Sequence, residues 1–172
     1  MLEFFKNLFF RKKDDEDKLP FEINDDERIV RSLFSPINFN KSGELKSNAF
    51  RTPPEKDEVS VNRLDYTTAT FCKKLSKKIE NPSYDRSYFG LALLTAKEIR
   101  NSNSDVIYTP ILNEKDLSNS FHSDIKIGYI PKRGEPLPAE FQLKVIKLTE
   151  KARLFLDPNP NSLNWEGEDL KY

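Results

Sequence analysis

The sequence is short of the residues that most metal-binding and catalytic sites need. Its 172 residues include one cysteine (Cys72), one histidine (His122) and five glycines. A single cysteine excludes an intrachain disulfide. A zinc site takes about four N, S or O ligands, and one histidine with one distant cysteine supplies too few of the usual ones. Neither glycine-rich phosphate-binding motif, G-x-G-x-x-G or G-x-x-x-x-G-K-[ST], occurs. We therefore expect no metal site and no cofactor.

Long apolar runs and an excess of one charge are also missing. No run approaches the roughly 20 apolar residues of a membrane-spanning helix, and the formal net charge is +0. This balance gives no general attraction to nucleic acid or to an acidic membrane. The single cysteine and the absence of a convincing signal peptide predict a cytoplasmic location.

Residues 1–13 are predicted to form a short amphipathic, phenylalanine-rich helix. The apolar side chains of its expected partner-binding face are Leu2, Phe4, Phe5, Leu8 and Phe9. Because so short a helix is unstable alone in water, it needs a surface to lie on. Residues 14–27 contain eight acids and one base and are predicted to be a flexible linker. A tethered helix favours a larger protein partner, with the chain's own core and a membrane surface as alternatives.

Residues 28–157 are predicted to fold as one α+β domain, followed by a C-terminal tail at 158–172. Short segments rich in β-branched residues indicate strands, and two longer segments show the periodicity of amphipathic helices. The second helix is expected to run from residue 139 to residue 156. We predict a mostly antiparallel sheet of about four to five strands packed against these two helices.

The pair His122 and Asp124 is the main candidate for a catalytic or ligand-binding site. In the segment NSFHSDIKIGYI the apolar residues alternate, so a strand would place both polar side chains on one face. Ser60 and Arg63 lie on a second predicted strand and complete the candidate set. On that strand the alternation places Ser60 and Asn62 on the face opposite to Arg63. The rival interpretation is that His122 and Asp124 lie on the solvated side of a strand.

Several basic residues suggest a site for an anion such as a nucleotide, since arginine binds phosphate and carboxylate groups well. These candidates are Arg31, Arg51, Arg63, Lys73 and Lys77. The order of an early arginine, a serine-bearing strand and a helix is loosely similar to the start of some ADP-ribosyltransferase-like toxins. The lysines of the two helices also allow a contact with nucleic-acid phosphates, although lysines on solvent-facing helix positions are the simpler interpretation. Cys72 is expected to pack in the core.

The short motifs Ala49-Phe50, Ser60-Val61 and His122 to Ile125 resemble the layout of small bacterial proteins with the pattern AF, SV and His-x-Asp. The resemblance spans residues 28–156 and supplies no catalytic mechanism. The resemblance implies a bacterial source and a role as one component of a larger assembly. A phage-defence system is one example of such an assembly.

Three functions follow as hypotheses. The first is a non-enzymatic accessory subunit that docks on a larger protein through its N-terminal helix. The second is a nucleotide-handling enzyme or sensor that uses His122, Asp124, Ser60 and Arg63. The third is a peripheral membrane protein attached through the same helix. The sequence leaves the oligomeric state open.

Overall fold

The chain folds into one antiparallel sheet of six strands with three helices, as seen in a computed structural model that describes residues 19–84, 86–112 and 115–171. The strands are β1 (Arg28–Pro36), β2 (Val59–Arg63), β3 (Arg86–Thr95), β4 (Asp105–Tyr108), β5 (His122–Lys126) and β6 (Arg153–Leu156). The helices are α1 (Ala69–Lys78), α2 (Ala96–Asn101) and α3 (Ala139–Lys151). The predicted α+β class is confirmed.

The strand order across the sheet is β4-β5-β2-β1-β3-β6, and every neighbouring pair is antiparallel. The longest strands, β1 and β3, pair along the whole length of β1 and make the longest strand pairing in the sheet. Because side chains alternate between the two faces of a strand, each strand contributes to two separate layers. No helix among the described residues is long and apolar enough to cross a membrane.

One face of the sheet carries the larger core, beneath α2 and α3. Its buried side chains from the strands include Ile29, Leu33, Val61, Leu94 and Ile125. The short helix α2 begins with the capping box that the sequence predicts, in which Thr95 and Glu98 each bond the other's backbone N–H.

The opposite face carries a smaller core beneath α1 and the C-terminal residues. Leu91 and Leu93 of β3 pack there with Cys72 of α1 and Leu170 of the tail. Trp165 packs against the same cluster, and its backbone N–H donates to the hydroxyl of Thr70. The described part of the predicted tail is therefore an integral layer of the domain.

A buried ion pair holds this layer together. The ammonium of Lys73 lies 2.8 Å from Oδ2 of Asp157, and both side chains are 0% exposed. The same ammonium donates to the carbonyls of Asn159 and Asn164 and to the hydroxyl of Ser162. The ion pair thus fixes the path of the chain after β6.

The structure places residues 19–27, which the sequence assigned to a flexible linker, against the larger core. Ile23 is buried in that core. Glu27 is buried as well and receives two hydrogen bonds of 2.8 Å from the guanidinium of Arg63. Arg63 also donates to the carbonyls of Pro20 and Glu22. Packed structure therefore extends back at least to Leu19.

The C-terminal helix is shorter than the sequence predicted. It ends at Lys151, and residues 153–156 form the edge strand β6 instead of a last helical turn. The residues Arg-Leu-Phe-Leu can pair with the free edge of β3, and Gly90 lets the two backbones approach closely. A Cβ atom at Gly90 would lie 2.5 Å from the carbonyl oxygen of Phe155. With β6 the sheet has six strands, where about four to five were predicted. The short helix α2 is the third helix, where two were predicted.

Replacing Lys73 with methionine should destabilise the fold by about 3–5 kcal/mol, because the carboxylate of Asp157 would remain buried without its partner. Lys74 is exposed on the same helix, so Lys74→Met is the matched control and should change the stability by no more than about 0.5 kcal/mol. Urea unfolding followed by circular dichroism measures both. Equal effects of the two substitutions would contradict a structural role for the ion pair.

Candidate functional site

A cleft opens on the face of the sheet that carries α1, where β1 and β2 separate. The two strands pair at Ile29–Arg63 and Val30–Asn62. The same register would set Ser32 opposite Ser60, but no pairing occurs there and both residues line the cleft. The cleft has a volume of about 470 Å³, within the range of small-molecule sites. The apolar side chains along its walls include Phe34, Ile37, Leu75, Ile79, Ile111 and Leu117.

The guanidinium of Arg31 occupies the gap between the two strands. Its Nε donates to the carbonyl of Ala49, and its Nη1 donates at 2.7 Å to the carbonyl of Ser60. The remaining nitrogen, Nη2, has no hydrogen-bond partner among the described residues. Arg31 therefore closes the floor of the cleft and keeps one end of its guanidinium available.

A second guanidinium, that of Arg86, lines the same cleft from the start of β3. It lies over the ring of Phe34, 4.6 Å from the ring centroid. Burial, and then the positive charge of Arg86, lower the pKa of Arg31 to about 10. Neither arginine forms an ion pair with a described carboxylate. The carboxylate that lines the cleft, Glu58, lies 3.2 Å from the ammonium of Lys126.

His122 and Asp124 lie on the cleft side of β5, as the alternation predicts, and Thr109 joins them. Nδ1 of His122 lies 2.7 Å from the carbonyl of Thr109, and this contact requires a proton on Nδ1 because a carbonyl only accepts. The hydroxyl of Thr109 donates at 2.7 Å to Oδ2 of Asp124. Nε2 of His122 is 3.8 Å from Oδ1 of Asp124, which is too long for a hydrogen bond.

The contacts of His122 supply part of what a nucleophile–base pair needs. Such a pair requires a nucleophile in reach of one ring nitrogen and an orienting group at the other. Thr109 supplies the orienting contact at Nδ1. No serine, cysteine or lysine among the described residues forms a hydrogen bond with Nε2. His122 lines the cleft and is held as part of its wall, an arrangement suited to contacting a ligand.

Two asparagines join the cleft where β2 meets β5. Asn62 is opposite His122 in the sheet register, and its Oδ1 accepts a 2.6 Å hydrogen bond from Nδ2 of Asn119. Both side chains are buried and line the cleft. Ser60, the next cleft-facing residue on β2, is exposed, and its hydroxyl has no partner among the described residues.

The structure separates Arg63 from the other three residues of the candidate catalytic set. Ser60, His122 and Asp124 share the cleft face, whereas Arg63 lies on the opposite face with Glu27. Its guanidinium is 0% exposed and stacks 4.7 Å from the ring centroid of Tyr66. Its position follows from the alternation along β2, and its contacts are those of a structural residue.

The other candidate anion-binding residues occupy three different environments. Arg31 lies in the cleft, as described above. Lys73 is fully buried with Asp157, so it does not face solvent as the lysine pattern of its helix suggested. Lys77 lies 2.8 Å from Glu80, and Arg51 donates to the carbonyl of Glu135 beside a separate shallow pocket.

Sequence reasoning missed Arg86, Asn62 and Asn119 as cleft residues. The alternation along β2 did place Asn62 with Ser60, but nothing in the sequence indicates that β1 and β2 separate in front of them. The N-terminal face of Leu2, Phe4, Phe5, Leu8 and Phe9 lies outside the described residues. Within the described residues, no three histidine, cysteine, aspartate or glutamate side chains are grouped as metal ligands.

No family model, curated protein or solved structure matches this chain. The function of the cleft must therefore be inferred from its own residues.

The thiol of Cys72 should be inert in the folded protein. It is 0% exposed in the smaller core, and burial raises its pKa to about 12. Since the thiolate is the reactive form, iodoacetamide at pH 8.5 should leave the native chain unmodified. In 6 M guanidinium the exposed thiol has an ordinary pKa, so the chain should gain one adduct at Cys72. Mass spectrometry counts the adducts. Rapid alkylation of the native chain would show that Cys72 is accessible.

Proposed function

We propose that this chain is a non-enzymatic binding subunit whose cleft holds a phosphorylated small molecule of nucleotide size. The observation that carries the proposal is the pair Arg31 and Arg86, two guanidinium groups in one cleft that have no carboxylate partner among the described residues. Two like charges held together destabilise each other. An oxyanion between them would relieve that repulsion and accept charge-assisted hydrogen bonds.

The rest of the cleft fits the same class of ligand. Hydrogen-bond donors without partners face it from Arg31, Ser60 and Asn62, so the site is built to meet acceptor atoms. The apolar walls suit a flat, weakly polar body attached to the anionic group. His122 lines the same cleft, and no serine, cysteine or lysine among the described residues bonds its Nε2, which supports a binding role for its ring.

Replacing Arg86 with glutamine should weaken the binding of a nucleoside monophosphate about 10- to 100-fold, the effect of losing one charge-assisted contact. Isothermal titration of the full chain with UMP, CMP, IMP, AMP and inorganic phosphate measures this. Arg133 is exposed and does not line the cleft, so Arg133→Gln is the matched control and should leave Kd unchanged. The proposal fails if no nucleotide binds the wild-type chain, or if both variants weaken binding equally.

The sequence also supports a docking role for the N-terminal helix, which we propose as the link between this subunit and a larger protein. Deleting residues 1–13 should abolish recovery of that protein in a pull-down from native cells, because the apolar face would be lost. The Arg86→Gln variant of the full-length chain is the control and should recover the partner normally. Unchanged recovery after the deletion would exclude docking through this helix, and flotation of the full chain with liposomes would indicate a membrane surface instead.

A further inference from the structure

The amide of Asn62 has a fixed orientation, set by a chain of three hydrogen-bonding groups. The backbone N–H of Phe121 donates at 3.1 Å to Oδ1 of Asn119. A backbone N–H can only donate, so this contact identifies the oxygen of the Asn119 amide. Nδ2 of Asn119 must then be the donor to Asn62, at 2.6 Å. It follows that Asn62 directs its oxygen at Asn119 and keeps its NH₂ group for another acceptor.

That NH₂ group has no partner among the described residues, and the side chain lines the cleft. Asn62 therefore offers a donor, and not an acceptor, to any ligand in the cleft. In the empty cleft this nitrogen keeps some exposure to solvent. A bound ligand that places an acceptor atom here pairs the donor, whereas a ligand that places an N–H group here excludes water and leaves the donor unpaired, at about 1–3 kcal/mol.

The two ends of the cleft are separated by a distance suited to a nucleotide. Asn62 lies opposite Val30 of β1, and the ring that supports Arg86 is that of Phe34, four residues further along the same strand. At about 3.3 Å per residue, the floor between these positions is about 13 Å long. The guanidinium of Arg31 lies between them, so the anionic group and the Asn62 donor bind different parts of one ligand.

We propose that the cleft selects nucleoside monophosphates whose base carries a carbonyl at the edge that meets Asn62, and discriminates against the corresponding amino bases. In this arrangement the phosphate lies between Arg31 and Arg86. The base lies between the apolar walls, to which Ile79 and Leu117 belong. The carbonyl of the base accepts from Nδ2 of Asn62. This inference rests on the proposed function and adds the class of base.

Two pairs of nucleotides that differ at this edge of the base test it. UMP has a carbonyl and a ring N–H where CMP has an amino group and an unprotonated ring nitrogen, and IMP differs from AMP in the same way. At least one pair should show a preference of about tenfold or more for the carbonyl form, the ratio that corresponds to about 1.4 kcal/mol. Isothermal titration on the wild-type chain measures this preference without any substitution.

Asn62→Asp provides the reciprocal test. One carboxylate oxygen can still accept from Asn119, while the other replaces the NH₂ donor with an acceptor. The preference should therefore reverse towards CMP or AMP. Asn101 is exposed on α2, on the opposite face of the sheet, so Asn101→Asp is the control that adds the same charge away from the cleft. This control should keep the wild-type preference.

The possible outcomes separate the two proposals. Binding that depends on Arg86 but shows equal affinities within both pairs would overturn the selection by Asn62 and leave the phosphate site intact. A preference for the carbonyl form that Asn62→Asp leaves unchanged, in a variant with native circular dichroism, would also overturn it. Absence of binding by all four nucleotides would overturn both proposals.

Discussion

The hydrogen bond from Arg31 to the carbonyl of Ser60 is the contact on which the cleft depends. In an uninterrupted antiparallel pair, the backbone of β2 at Ser60 would bond to β1 near Ser32. The side chain of Arg31 takes over part of that role. Where the strands separate, the carbonyl of Ser60 loses its partner on β1, and the guanidinium of Arg31 donates to it at 2.7 Å instead. The sheet can therefore open without leaving this carbonyl unpaired.

The same contact places the positive charge of Arg31, a half-buried residue, beside the gap between β1 and β2. Burial disfavours the charged form of Arg31, as the direction of its pKa shift shows. Elsewhere the fold compensates such charges locally, since Arg63 is paired with Glu27 and Lys73 with Asp157. Among the described residues Arg31 has only backbone carbonyls as hydrogen-bond partners, and a second arginine lowers its pKa further. The carboxylate that the other two cations receive from the protein is missing here, and the proposal of an external anion rests on that difference.

The sequence predicted the class of fold and the alternation of individual strands better than it predicted their connections. Alternation correctly placed Ser60 and Asn62 on one side of β2 and His122 and Asp124 on one side of β5. It could not tell that β1 and β2 separate, because this depends on the long-range contact between Arg31 and Ser60. The segment at 153–156 was assigned to a helix because its apolar spacing fits either structure, and the free edge of β3 decided the outcome. Lys73 looked solvent-facing because its partner, Asp157, is distant in sequence.

The two paired cations differ in role from the groups that face the cleft. Arg63 anchors residues 19–27 to one face of the sheet, and Lys73 anchors the C-terminal residues to the other. Both ion pairs lie outside the cleft lining and hold segments that have little regular secondary structure of their own. The donors that face the cleft from Arg31, Ser60 and Asn62 belong to neither ion pair and keep some exposure to solvent. Because a ligand that excludes this solvent must pair those donors or leave them desolvated at about 1–3 kcal/mol each, the groups that water satisfies in the empty cleft are the same groups that would select the proposed ligand.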